Sequence, residues 1–517
     1  MRSPTTPPLR KPLLDRRIGV HDRHQFELKL EYQPAAEQRQ CRYLVEAFVC
    51  VPGNLNLTPD TVPPAELYAD IHNYVRLKTP ELSWQELQTS ADSPLVRALA
   101  DAPAVSQGGE PRRFGHECRL YACVFRAALR GFCEQVEAMA SPGKPAVEEI
   151  AAIVDETVAG VTMATSRFRS VRTLVENTPG SAESAKLAYR FADEYTSISI
   201  EQQLRRAIVC LAQSVADSRQ LRQRLLDVIL AEESYRIERG YPCVLRSGTD
   251  NEAYVYRSGL LKKLCASVLF LHVHRLGTRH HWQELLFAVA AGISMAFATI
   301  IAFWAQARYT GLGLRLFVIL VVAYMFKDRI KEAGRRLFSS FLEKYLFDHK
   351  IVIEDPEGGI LGCCREKIEY CPRERLPEDV RAIRLVGADP MVRAAEEELR
   401  ETVYRYRKEV TLLASRLYGR RGGAGVTDIV RFHIARLLRE MDEPYQTIEW
   451  VDRESHALAP LRAAKVYHVD VVFRFISRAD EPPATTLMRL ILDRRGIKRI
   501  ERIDRPATPE ELVAVAK

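Results

Sequence analysis

The chain has 517 residues, with 75 Lys and Arg against 67 Asp and Glu, a formal net charge of +8 and a mean hydropathy of −0.17. With 47% hydrophobic and 27% charged residues, it is excluded from the disordered, collagen-like and mucin-like classes. The mean hydropathy excludes a polytopic transporter, while leaving room for one or two spans. Eleven scattered cysteines with no CxxC pair are too few for a disulfide scaffold and fit free thiols in a reducing cytosol.

Residues 1–20 read as a basic, proline-rich disordered tail, because no apolar core of secretory-signal length is present. Residues 21–112 read as a small cytosolic α/β module. His24 to Tyr32 alternates like a half-buried strand, and Tyr43 to Val51 is apolar at nearly every position, like a central one. Pro63-Pro64 is expected to open a helix to about Arg76, and Thr79-Pro80-Glu81 to start another. Residues 113–284 read as a cytosolic helical domain. Val147, Val154, Val158 and Val161 keep three-four spacing. Further helices are expected at about 182–213, 216–239 and 252–276. The apolar run Leu264 to Val273 is too short to span a bilayer and is expected to be a buried helix.

Leu285 to Ala305 is an uncharged run of 21 residues. As a helix it reaches about 31 Å, the thickness of a hydrocarbon core. After a short connection, Leu316 to Phe326 is a second, shorter apolar run that reaches spanning length only if it begins near Thr310, with Arg315 at the interface. Tyr309, Tyr324, Trp282 and Trp304 suit interfacial positions. Lys327, Arg329, Lys331, Arg335 and Arg336 crowd the far flank, and Lys262, Lys263, Arg275 and Arg279 precede the first run. The positive-inside bias therefore places both flanks in the cytoplasm. Residues 285–326 are expected to form a transmembrane helical hairpin, and residues 327–348 an amphipathic juxtamembrane helix.

Residues 349–517 read as a cytosolic α+β module. Met391 to Tyr418 carries a near-heptad seam and is expected to be a long charged helix. Gly419 to Gly425 breaks it, and a second helix is expected from Thr427 or Asp428 to about Met441. Val466 to Phe475, Leu487 to Leu492 and Ile497 to Ile503 read as antiparallel strands. The expected fold class is a multidomain α+β membrane protein: an N-terminal small α/β module and helical region, a two-helix transmembrane hairpin, and a C-terminal α+β module with a helical hairpin and antiparallel strands.

Ala288, Gly292 and Ala296 form a small-residue stripe on the first span, which lets helices approach closely. Packing on the second span of the same chain is the favoured reading, with a homo-oligomer seam as the alternative. Arg420, Arg421, Gly422 and Gly423 precede a helix and offer an anion site, yet the loop lacks the P-loop spacing and its lysine, and a flexible linker explains it better. Cys363, Cys364 and Cys371 with His349 have poor zinc spacing, so no metal and no cofactor is expected. His272, His274, His280 and His281 cluster before the first span, with His274 and His281 near one helical face and no carboxylate partner, so solvated interfacial histidines are favoured over a pH switch. Arg489, Arg494, Arg495, Lys498, Arg499, Arg502 and Arg505 form a basic ribbon without stacking aromatics, so a nucleic-acid partner is not expected. The expected partners are the lipid bilayer, an unidentified protein and further copies of the chain. The expected role is a non-enzymatic sensor or scaffold at the inner membrane, with two spans and both termini cytoplasmic. The alternatives are a membrane-anchored enzyme acting on a phosphate-bearing or lipid substrate, and a membrane-perturbing stress or defence effector.

Overall fold

The computed structural model describes residues 15–34, 39–106, 110–140, 147–176, 182–215, 218–276, 278–308, 313–345, 347–356, 358–385, 401–418, 425–454, 456–476 and 483–503. Contacts divide the chain into two units. One comprises Met1–Val75, Leu271–Leu417 and Thr427–Lys517; the other comprises Arg76–Phe270 and Tyr418–Val426.

The first unit is built on antiparallel strands drawn from both ends of the chain. Its N-terminal part supplies β1 (Asp15–Asp22), β2 (Gln25–Tyr32), β3 (Gln40–Val51), the short helix α1 (Pro64–Leu67) and β4 (Ile71–Leu77). Its later parts supply β5 (His272–Leu276), β6 (His349–Glu354), β7 (Ile360–Tyr370), β8 (Thr402–Leu413) and β9 (Val426–His433). The hairpin β10 (Tyr445–Val451) and β11 (Leu458–Ala464) and the strands β12 (Tyr467–Ile476), β13 (Ala484–Asp493) and β14 (Gly496–Ile503) complete it. An eight-stranded sheet runs β14-β13-β12-β3-β8-β7-β6-β5, and a four-stranded sheet runs β1-β2-β9-β4. Strands from residues 21–112 and from residues 349–517, read from sequence as two modules, thus share both of these sheets. β3 lies between β12 and β8, with Val49 opposite Val471 on one side and Tyr404 on the other.

That central place explains why β3 is apolar at nearly every position from Tyr43 to Val51, Glu46 excepted. Tyr43, Val45, Ala47, Val49 and Val51 are all buried on one face. Phe48 and Cys50, on the other face, pack with Val403, Val472 and Leu487 against Leu376, Val380 and Ile383, the last two from the helix α12 (Glu378–Leu385). Between the two sheets, Phe432 of β9 stacks on Phe26 of β2 at 4.8 Å and meets Tyr406 of β8 and Phe473 of β12 edge-on.

The predicted C-terminal helical hairpin is not formed by the described residues. Within Met391–Tyr418, Thr402–Leu413 is strand β8, followed only by the short helix α13 (Ala414–Tyr418); residues 391–400 lie outside the described residues. Thr427 to Met441 divides into β9 and the short helix α14 (Ala435–Arg439). Tyr406, Lys408, Val410 and Leu412 alternate inward along β8. Because one of those inward residues is a lysine, Arg407-Lys408-Glu409 reads as a continuous charged run and hides the period of two. Two further expectations are corrected. The helix from Pro63-Pro64 ends at Leu67, so that Ile71–Leu77 is strand β4. The helix at 252–276 ends at Ala266 and is followed, after one 3-10 turn, by strand β5.

The second unit is helical: α2 (Trp84–Thr89), α3 (Pro94–Ser106), α4 (Pro111–Met139), α5 (Val147–Ser170), α6 (Arg172–Glu176), α7 (Glu183–Ser214), α8 (Arg219–Glu238) and α9 (Glu252–Ala266). The helix expected from Thr79 begins instead at Trp84, where Ser83 and Glu86 form a reciprocal capping box. At the centre of the bundle is α7, whose residues 193–201 are all buried. A helix enclosed on every side needs partners for its polar residues, and Asp193, Glu194 and Glu201 each meet an arginine from a surrounding helix.

Two long helices, α10 (Thr278–Arg308) and α11 (Leu314–Tyr345), leave the first unit between β5 and β6 and pack on each other. The juxtamembrane segment 327–348 is largely the continuation of α11, which runs unbroken through Phe326 and Lys327.

Candidate functional site

Among the described residues, one helical segment, Glu284–Arg308 within α10, is long and apolar enough to cross a membrane, and only 11% of its apolar window is buried. Leu285, Val289, Ile293, Met295, Ile300, Phe303 and Trp304 are all exposed. Large aliphatic and aromatic side chains do not remain in water over such a length without a solvent that accepts them. In α11, exposed large apolar side chains are concentrated from Leu314 to Phe326, with Leu337 beyond them, and the charged residues that follow Phe326 keep it below spanning composition. Lys327 Nζ lies 3.8 Å from the centroid of the Tyr324 ring.

The contact between α10 and α11 falls on a different stripe from the predicted one. Ala288, Gly292 and Ala296 are exposed, and nothing approaches Gly292 within 4 Å. The buried positions are instead Ala290, Ser294 and Ala305 on α10 and Ala323 on α11. A Cβ built on Gly334 would stand 3.0 Å from the Ala290 methyl. Favoured packing of Ala288, Gly292 and Ala296 on the second helix of the same chain is therefore replaced. α10 carries two small-residue stripes at four-residue spacing, and the sequence of one helix does not say which of them meets Ala323 and Gly334.

Arg420, Arg421, Gly422 and Gly423 lie outside the described residues, as do Tyr309 and the side chains of His280, His281, Trp282 and Arg315. His272 and His274 lie on β5, where His274 has a carboxylate partner that its local sequence did not show: Glu354 on β6, 3.5 Å away. On β7, Cys364 is buried while its neighbour Cys363 is half-buried. Among the described residues no group of three or more His, Cys, Asp or Glu side chains is placed to hold a metal ion. Arg489, Arg494 and Arg499 of the basic ribbon hold Asp470, Glu443 and Glu501, which removes much of its free positive charge.

Three polar clusters were not read from the sequence. The first floors a cleft of about 280 Å³ whose lining includes Gly53, Glu401, Tyr467, His468, Asp470 and Arg489. There Arg384 reaches Glu401 at 2.5 Å and Asp470 at 3.5 Å, and Arg489 reaches Asp470 at 2.9 Å. Two guanidinium groups against two carboxylates leave this floor neutral. Burial raises the Glu401 carboxyl, although Arg384 pulls it down. Such a floor can orient a small polar ligand, but its own charges are already spent on one another.

The second cluster is sealed between the sheets. Lys408 Nζ is 2.6 Å from Asp428 and 3.6 Å from Glu366, and Tyr406 donates to Glu366 at 2.9 Å. Burial by itself would lower the Lys408 ammonium; Asp428, with Cys364 and Glu366, overrides it and leaves it raised. The third cluster crosses the helical unit. Arg169 of α5 binds Glu232 of α8 through two hydrogen bonds of 3.0 and 2.7 Å and Asp193 of α7 at 3.1 Å. Tyr235 and Tyr241 donate to the other oxygen of Asp193 at 2.6 and 2.8 Å. Arg257 grips Glu194 bidentately, and Arg236 meets Glu201. The only sequence signal for this cluster was the presence of acids in a helix flanked by apolar residues.

No family model, curated protein or solved structure matches the chain.

Proposed function

We propose that the chain is an integral protein of the inner membrane, anchored by α10 and α11 as a two-pass hairpin with both flanks in the cytoplasm. Its strand and helical units serve there as a non-enzymatic sensor or scaffold that binds a protein partner. The observation that carries this reading is the apolar surface of α10, exposed over a length that matches a hydrocarbon core. Charge supports the orientation, since five cations lie between Lys327 and Arg336, whereas Arg308 and Arg315 alone flank the connection. The polar clusters favour a scaffold over an enzyme, because their acids and bases are engaged with each other across helices and strands.

The test is alkaline carbonate extraction of membranes from cells producing the full chain, together with reporters fused at each end. The expected result is a pelleted chain with both reporters active in the cytoplasm. A chain that stays soluble without detergent overturns the membrane reading, and reporters on opposite sides overturn the two-pass reading. The cleft floored by Arg384, Glu401, Asp470 and Arg489 supports a second reading, a membrane-anchored enzyme. Under it, His468→Ala at the rim would abolish the cellular phenotype while leaving the protein level unchanged.

A further inference from the structure

The hairpin of β10 and β11 stands apart from the rest of the fold. Among the described residues it is a sheet of two strands alone, and every residue of β10 is exposed. Side chains paired across antiparallel strands share a face. Ile448 opposite Leu461 and Trp450 opposite Ala459 therefore give one face an apolar stripe, and Ile448, Trp450 and Leu461 are all exposed. An isolated hairpin is marginal in water and gains stability from further strands.

The hydrogen-bond ladder decides where a further strand can join. At the two ends of the hairpin, the N–H of Lys465 donates to the Pro444 carbonyl and that of Asp452 to the Ala457 carbonyl, both at 3.0 Å. Inward and outward backbone groups alternate along an antiparallel strand. Counting from those two bonds, Gln446, Ile448 and Trp450 bond inward to β11, while Tyr445, Thr447, Glu449 and Val451 turn their N–H and C=O groups to the outer edge. On β11 the outward positions are Leu458, Pro460, Arg462 and Ala464. Pro460 has no N–H and blocks that edge at its middle. The outer edge of β10 has no proline, no lysine and no bulge, the devices that keep an edge from pairing.

We infer that the outer edge of β10 pairs antiparallel with the same edge of a second copy of the chain. The strand, YQTIEWV, is self-complementary about Ile448. A two-fold axis there sets Ile448 against its own copy and Gln446 against Trp450 on the apolar face. On the other face it sets Thr447 against Glu449 and Tyr445 against Val451. Outward backbone groups then meet outward backbone groups along the whole strand, and the ladder closes without a bulge. Glu449 is the only charged residue of β10, so no charge is placed directly opposite its like. The product is a four-stranded sheet with β11 on each outer edge. Pro460 blocks both of those edges, so growth stops at the dimer instead of running on into a fibre. The inference stands on the hairpin alone and does not depend on the membrane reading.

The experiment is oxidative crosslinking of single-cysteine additions to the full chain, together with light scattering of the detergent-solubilised protein. In the inferred register the two copies of position 448 form a pair without hydrogen bonds, with Cα atoms about 4.5 Å apart, within the reach of a disulfide. Ile448→Cys should therefore give a disulfide-linked dimer several-fold stronger than Leu461→Cys, which shares its face but lies one strand farther from the axis. It should also exceed the parent chain with its eleven native cysteines. Light scattering of the parent should give twice the mass of one chain. Thr447→Pro removes one outward donor from β10, spares the bonds within the hairpin, and should halve that mass. Arg462→Pro makes the same change on the edge that Pro460 already blocks, and should leave the dimer intact. A parent of single-chain mass, a mass unchanged in the Thr447 variant, or a crosslink stronger from 461 than from 448 would overturn the inference. If both proline variants unfold the hairpin, the comparison of positions 448 and 461 decides.

Discussion

Gly496 opens β14 with φ 131, and a Cβ there would collide with the carbonyl of Arg23. Ile497 donates to that same carbonyl at 2.8 Å, so the close approach ties β14 to the turn between β1 and β2. Gly496→Ala should cost roughly 2 kcal/mol or more from backbone strain and the collision together, visible as a lower urea midpoint. Lys408 sits 1% exposed between two carboxylates. Lys408→Met would strand Asp428 and Glu366 in the interior, at a cost of about 3–5 kcal/mol. If thermal unfolding of that variant matched the parent, the charge triad would not be what holds the sheets in register. Burial pushes up the thiols of Cys118, Cys265 and Cys364, and takes Cys123 to about 12. A thiol with so little thiolate near neutral pH is inert. Maleimide followed by peptide mass mapping should leave all four unmodified in the folded chain and modify them in urea.

At the scale of the element, legibility follows the kind of residue that faces inward. β2 and β12 were legible because their inward residues are apolar and the period of two survives, β3 and β13 as largely apolar runs, and β14 from the turn Arg494-Arg495-Gly496 before it. β8 was not, because Lys408 takes an interior position and its acidic partners come from β7 and β9, which are remote in sequence. The bundle helices were legible by three-four spacing, but the clamps on α7 were not, since Arg169, Arg236 and Arg257 look like surface arginines until the fold brings Asp193, Glu201 and Glu194 to them. The same limit applies to α10, whose membrane length is plain in one helix while its contact stripe depends on another. Packing between elements can still be tested through small residues. Gly160 on α5 leaves room for the Trp84 ring of α2, which a Cβ would enter, so Gly160→Ala should displace Trp84 and shift its fluorescence to the red.

Glu117 on α4 gives the helical unit a pH dependence of definite sign. Burial raises its carboxyl, but its hydrogen bond with His116 and the charge of Arg97 outweigh that and hold it below the ordinary glutamate value. A carboxyl held low in the fold stabilises it above the ordinary glutamate range, and the contribution is lost as pH falls through the folded value. Glu117→Gln should therefore cost about 3 kcal/mol at neutral pH, where it leaves Arg97 unpaired, and converge with the parent once pH has fallen below the lowered folded value. Parallel stability curves for the two proteins across that range would show that the ion pair carries no linkage.

For the whole molecule, the sheet order sets a condition on how the chain folds. β3 is made near the N-terminus, yet its neighbours β8 and β12 come more than three hundred residues later. Non-local pairing of this kind closes a very long loop before it is rewarded, and here α10 and α11 enter between the two halves of the sheet. Until β3 is in place, β8 and β12 present unpaired backbone on their facing edges, the arrangement that invites strand exchange between chains. Removing residues 1–60 should accordingly leave a chain that still binds membranes through α10 but aggregates on detergent extraction. Supplying residues 1–60 as a separate polypeptide should restore part of the extractable protein. The hairpin of β10 and β11 supplies the contrast, because it is exposed on both strands and borders no gap in the eight-stranded sheet. Replacing residues 446–463 by a short turn should leave extraction and thermal unfolding close to those of the parent. If the two deletions behaved alike in size-exclusion chromatography, the central position of β3 would not govern assembly of the sheet.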